Sequence, residues 1–153
     1  MIIHQQKGFS LLELLLVTSI IALLGAAGVG SYRGLVKNVE VQSVAKTLAS
    51  DLRQMRSKSM AGEGSVKWGV HIINVNGGEQ SYELFSTPTN YPAGTVVVKT
   101  ILSPGLMFSD PAAGISKDII FSKISGTTTP ATVSIISEGV TQTLTVSSIG
   151  AIN

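Results

Sequence analysis

The chain has 153 residues, 44% of them apolar, 13% charged and 5% aromatic, enough for one domain with little left over for a second. Lys and Arg number 11 against 9 Asp and Glu, a formal net charge of +2, too small by itself to mark a nucleic-acid-binding surface. Cysteine is absent, which excludes disulfide scaffolds, thiol nucleophiles and cysteine-ligated zinc or iron–sulfur sites.

The mean hydropathy of +0.38 comes largely from one place. From Phe9 to Gly30 the chain reads FSLLELLLVTSIIALLGAAGVG, with Glu13 as its single charge. A helix over residues 9–30 would be roughly 33 Å long, enough to cross a bilayer core. The preceding MIIHQQKG imitates a secretory signal peptide, but the apolar run is longer than the usual 7–15 residues or so and passes into a helical pattern without a turn signal. Lys7 and the amino terminus on one side balance Arg33 and Lys37 on the other, so charge bias does not set an orientation.

Beyond the apolar run, Leu35, Val36, Val39, Val41, Val44, Ala45, Leu48, Leu52 and Met55 recur at three- and four-residue spacing, with Lys37, Glu40, Lys46, Asp51, Arg53, Arg56 and Lys58 on the other faces. The pattern predicts one helix from about Phe9 to about Met60, roughly 75 Å long, apolar all round in its first half and amphipathic in its second. Gly25 to Gly30 reads GAAGVG, which is either a soft helical segment or a close-packing surface with Gly30 and Gly34 as a GxxxG pair.

Ala61-Gly62-Glu63-Gly64 ends the helix, and the period changes from 3.6 to 2. Val66, Trp68, Val70 and Ile72 alternate with Lys67, Gly69, His71 and Ile73, the pattern of a half-buried strand with Trp68 as a core anchor and His71 solvated. Asn76-Gly77-Gly78 turns this strand into Ser81 to Phe85. Thr95 to Leu102, Asp118 to Ile124, Thr132 to Ser137 and Val140 to Ser147 read as further strands, with Glu138-Gly139 turning the last pair. The expected fold class is α+β: a long N-terminal helix whose amphipathic half covers a small antiparallel sheet or sandwich.

KGFSLLELLLV, Lys7 to Val17, resembles the prepilin signature of type IV pilins and type II secretion pseudopilins: a short basic leader ending in Gly, then Phe, then Glu five residues in. WGVHI, YELF, DIIFS and a closing SSIGAI are similar to minor pilins of the GspH/FimT class. The resemblance implies four segments: 1–8 a cleaved leader, 9–30 a transmembrane and filament-core helix, 31–60 an amphipathic helix entering the head, and 61–153 a β-rich head. It implies that Gly8 is the last leader residue, that Phe9 becomes the N-methylated terminus, and that Glu13 pairs with a neighbouring subunit's Phe9 amine. An ionised carboxylate in hydrocarbon is costly unless partnered; a lone interfacial carboxylate favoured by the helix dipole is the alternative. The chain departs from many family members in having GAAGVG where they carry a proline.

The implied partners are other pilin or pseudopilin subunits, prepilin peptidase, the inner-membrane assembly platform and the membrane itself. The implied location is the bacterial inner membrane, with an extracytoplasmic head, and then the filament. The residues point to no enzyme, cofactor or metal: loss of the leader removes His4 and leaves His71 as the single histidine, and Glu79, Glu83, Asp110, Asp118 and Glu138 lack calcium-loop spacing. Two other functions compete with a structural subunit. A DNA-binding minor pilin would need clustered cations, but from Val70 onward five acids face three bases, and the basic excess lies on Arg33 to Lys67. A simple N-anchored extracytoplasmic protein would carry the motif by accident.

Overall fold

The computed structural model describes residues 8–153, with the side chains of 27–33 left aside. The expected leader residues His4 and Lys7 lie outside the described residues, and so do the side chains on which a packing role for Gly28 and Gly30 would rest. The chain divides into two compact units, Met1–Val36 and Lys37–Asn153.

One helix, α1 (Leu11–Met60), contributes to both. In the first unit every described side chain from Leu11 to Ala26 is exposed. Among the described residues no helix is long and apolar enough to cross a membrane; the described side chains of the apolar run end at Ala26, about 24 Å along it.

In the second unit the helix ends as the glycines predict. Gly62 takes the left-handed conformation (φ 68) just past the last turn, which a residue without a Cβ adopts at little cost. Seven strands follow: β1 (Lys67–Ile73), β2 (Ser81–Thr87), β3 (Thr95–Ile101), β4 (Met107–Asp110), β5 (Ser116–Phe121), β6 (Ala131–Ser137) and β7 (Val140–Val146). They form two antiparallel sheets, ordered β3-β2-β1-β5 and β4-β6-β7. The β6–β7 hairpin turns at Glu138 (φ 45) and Gly139 (φ 84), the pair of positive φ values that matches the twist of the flanking strands.

The core sits where the helix stripe meets both sheets. Val41, Ala45, Leu48, Ala49, Leu52 and Met55 pack with Val70, Ile72, Tyr82, Leu84, Ile119 and Phe121 of the larger sheet and with Phe108, Val133, Ile135, Leu144 and Val146 of the smaller. Trp68 is buried as expected, its indole N–H donating to the Glu63 carbonyl at 3.0 Å.

Three expectations change. The strand expected at Asp118 to Ile124 runs from Ser116 to Phe121 instead, because Ser122 bonds back to Thr127 and Ile124 turns to φ 69. Strand β4 has no counterpart in the periodicity: four residues interrupted by a register shift are too few to show one. His71, expected to be solvated, is 8% exposed; β1 is an inner strand of its sheet, and the loop after β2 folds over the face that His71 occupies.

Candidate functional site

The residues singled out by the sequence lie at the start of α1. Gly8 and Phe9 precede the helix, both exposed, and open space surrounds the position a Gly8 Cβ would take. Ser10 caps the helix: its Oγ accepts from the Leu12 N–H at 3.3 Å and its carbonyl from the Leu14 N–H at 3.2 Å. Such a side-chain cap satisfies an orphan donor of the first turn. Glu13 therefore falls in the first turn, where the helix dipole favours a negative charge. The structure brings Gly8, Phe9 and Glu13 together only as neighbours in the chain. Their flanking side chains Leu11, Leu12, Leu14, Leu15 and Leu16 are all exposed, so this segment offers apolar surface on every side to whatever surrounds it.

The second unit holds a polar constellation that sequence reasoning scattered. Antiparallel register sets His71 between Glu83 on β2 and Asp118 on β5. The His71 Nδ1 meets the Asp118 carboxylate, and the Tyr91 ring stacks on the imidazole at 3.5 Å between centroids. The Tyr91 hydroxyl donates to Glu83 Oε2 at 2.5 Å, and Lys99 Nζ lies 3.5 Å from Glu83 Oε1. Burial, followed by the hydrogen bond to Glu83, pushes the Tyr91 phenol up from 10.0 to about 12. These groups satisfy one another and cover His71 on the outer face of the larger sheet, at strands β1 and β2. Among the described residues no cluster of three or more His, Asp or Glu side chains is placed to hold a metal ion.

Further polar contacts tie the helix to the strands. Buried Ser59 donates to the Phe121 carbonyl at 2.6 Å and accepts from the Trp68 N–H at 3.2 Å. The Tyr82 hydroxyl donates to Asp51 at 2.6 Å, and burial, followed by that carboxylate, raises the Tyr82 phenol far above its ordinary value. Arg53 and Arg56 donate to the carbonyls of Ile152 and Ile149 at 3.1 and 3.0 Å, anchoring the C-terminal segment. Asp110 accepts from Lys117 and Thr132. Burial opposes its ionisation, but these two donors outweigh it and hold the carboxyl below its usual range. Nothing in the local sequence pairs these residues; the signal was limited to a polar residue breaking an apolar pattern, as Ser59 does at the end of the helix stripe.

Residues 3–29 match the family model of the prokaryotic N-terminal methylation motif. No curated protein and no solved structure matches the chain. The matched stretch contains Gly8, Phe9 and Glu13 and runs into the exposed start of α1. With one long N-terminal helix followed by antiparallel sheets, the chain is thus similar to type IV pilin-like, prepilin-type proteins.

Proposed function

We propose that the chain is a minor pilin or pseudopilin, a structural subunit rather than an enzyme, which initiates or caps a type IV pilus or a type II secretion pseudopilus. The observation that carries this reading is the methylation motif over residues 3–29, with Glu13 in the first turn of a helix whose neighbouring side chains are apolar and exposed. In this reading prepilin peptidase cuts after Gly8 on the cytoplasmic side, and Phe9 becomes the methylated terminus. Residues 9–30 sit in the bacterial inner membrane until an assembly platform moves the subunit into the filament. There the all-round apolar helix packs against other subunits, and Glu13 pairs with a neighbour's Phe9 amine, because an unpartnered carboxylate in that setting is costly. Residues 61–153 form the extracytoplasmic head.

The distribution of cations supports this reading over a DNA-binding one. Lys37, Lys58, Lys99 and Lys117 each lie against an acid, Arg53 and Arg56 hold carbonyls of the C-terminal segment and Lys123 that of Ser65, whereas phosphate binding needs several clustered cations without neighbouring acids.

The test is processing followed by assembly. Co-expressed with prepilin peptidase, the wild-type chain should lose Gly8 and the seven residues before it, leaving 145 of 153 and starting at methylated Phe9, as read by mass spectrometry. Gly8→Val should stay uncut. Glu13→Leu should be cut and remain in the membrane, since Leu is the better bilayer residue, yet fail to enter filaments. An intact wild-type leader, or Glu13→Leu in filaments at wild-type level, defeats the proposal.

A further inference from the structure

The connection between β1 and β2 is clamped at its base and loose at its tip. Buried Asn74 donates through Nδ2 to the carbonyls of Phe108 and Pro111 at 2.8 and 2.6 Å, and buried Gln80 donates through Nε2 to those of Val75 and Gly78 at 2.7 and 3.2 Å. Between these clamps residues 75–79 are all exposed. The Gly78 N–H reaches the Val75 carbonyl at 3.4 Å, and Gly77 takes φ 70, the left-handed turn position that glycine fills most readily. Among the described residues neither the Asn76 side chain nor the Gly77 N–H has a hydrogen-bond partner.

An electrophile and a nucleophile therefore sit side by side in the chain with nothing holding either. The Cγ of an asparagine and the backbone nitrogen of the next residue can close a five-membered ring, and a reaction within one chain needs no encounter, only a torsion that brings the two atoms together. Two obstacles ordinarily prevent it: hydrogen bonds that fix the amide, and a side chain on the following residue that crowds the nitrogen. Asn38 keeps both, accepting from Gln42 Nε2 at 2.9 Å within α1 and preceding Val39. Asn74 is held by its two carbonyls and precedes Val75. Asn90 accepts from the Thr89 hydroxyl at 3.3 Å and precedes Tyr91. Asn76 has neither obstacle, because its amide is unheld and Gly77 has no side chain.

We propose that Asn76-Gly77 is a self-modification site at which Asn76 deamidates through a cyclic imide. The Gly77 nitrogen loses its proton to hydroxide and attacks Asn76 Cγ; the new N–Cγ bond closes the ring, and the Cγ–Nδ2 bond breaks to release ammonia. Water then adds to either imide carbonyl. Opening at Cγ gives aspartate in an ordinary backbone, and opening at the main-chain carbonyl gives isoaspartate, with the chain running through the former side chain. No electrons are transferred, and water is the only co-reactant. Either product adds a carboxylate beside Glu79 on the open groove that Asn76 and Glu79 both line, and isoaspartate also lengthens the tip by one backbone carbon between the Asn74 and Gln80 clamps. This chemistry does not depend on the filament reading.

The test ages the full chain in detergent micelles in mildly alkaline buffer, alongside a free peptide spanning residues 73–81, and follows both by mass spectrometry with the site located by fragmentation. Asn76 should gain about 1 Da at least about tenfold faster than Asn38, Asn74 or Asn90. Chromatography should resolve two products, aspartate and isoaspartate. Asn76→Ser should abolish the gain at this position, and Gly77→Ala, which crowds the nitrogen, should slow it about tenfold while circular dichroism stays unchanged. Three results overturn the proposal: an intact Asn76 in the folded chain when the free peptide has converted, aspartate as the single product, which would mean direct hydrolysis without the ring, or an undiminished rate in Gly77→Ala.

Discussion

Between Leu11 and Ala26 every described side chain of α1 is exposed, Leu14, Leu15 and Leu16 included. Between Val41 and Met55 the same helix buries Val41, Ala45, Leu48, Ala49, Leu52 and Met55 in a stripe at three- and four-residue spacing. A stripe is a demand that one partner surface can meet, and the two sheets of the second unit meet it. An all-round apolar surface needs partners on every side, which a chain of this size does not supply from within. The first stretch therefore draws its stability from its surroundings and the second from its own fold.

Paired substitutions can break this comparison. Leu48→Ala should cost the second unit about 2–5 kcal/mol, through lost burial and a residual cavity. Leu14→Ala, the same chemical change on the same helix, should shift its unfolding by less than about 0.5 kcal/mol. Thermal unfolding of both variants in micelles, followed by circular dichroism, checks the pair; equal shifts would remove the distinction.

A smaller effect is expected at Ser59, where the helix is fastened to β1 and β5. Ser59→Ala leaves the Phe121 carbonyl and the Trp68 N–H without this hydroxyl, a loss of about 1–3 kcal/mol that denaturant unfolding would read. Lipid or detergent should not rescue it, because both partners lie inside the second unit.

Titration sharpens the comparison further through three groups of the second unit, Asp110, Tyr91 and Tyr82. Asp110 has a depressed carboxyl, so its contribution is present above the ordinary carboxylate value and is lost as pH falls through the folded one. Asp110→Asn should flatten the acid limb of a stability profile relative to wild type. Tyr91 has the opposite sign: its phenol is raised from 10.0 to about 12, so its contribution is complete below pH 10 and disappears as pH climbs through about 12. Ultraviolet phenolate absorbance should show late ionisation that Tyr91→Phe reduces, with Tyr82 ionising later still. This is the smallest of the expected effects, and titration at the ordinary tyrosine value would contradict the packing of Tyr91 over His71 and its hydrogen bond to Glu83.

Local periodicity was sufficient for the elements whose signal is carried by neighbouring residues. The helix to Met60, its glycine stop, both hairpins and the stripe from Val41 to Met55 could all be read from spacing, because 3.6- and 2-residue periods and turn glycines act within a few residues. The motif around Gly8, Phe9 and Glu13 was legible for the same reason. The fate of His71 was not. Alternation showed that it points away from Val70 and Ile72, but an outward face is solvated only if nothing covers it, and Tyr91, twenty residues on, supplies the cover. The links from Asp51 to Tyr82 and from Arg53 and Arg56 to the C-terminal segment likewise join residues far apart in sequence. By itself the sequence determined which residues want burial and where the chain turns. Which polar groups meet was decided only when sheet order and loop cover brought distant residues within hydrogen-bond range.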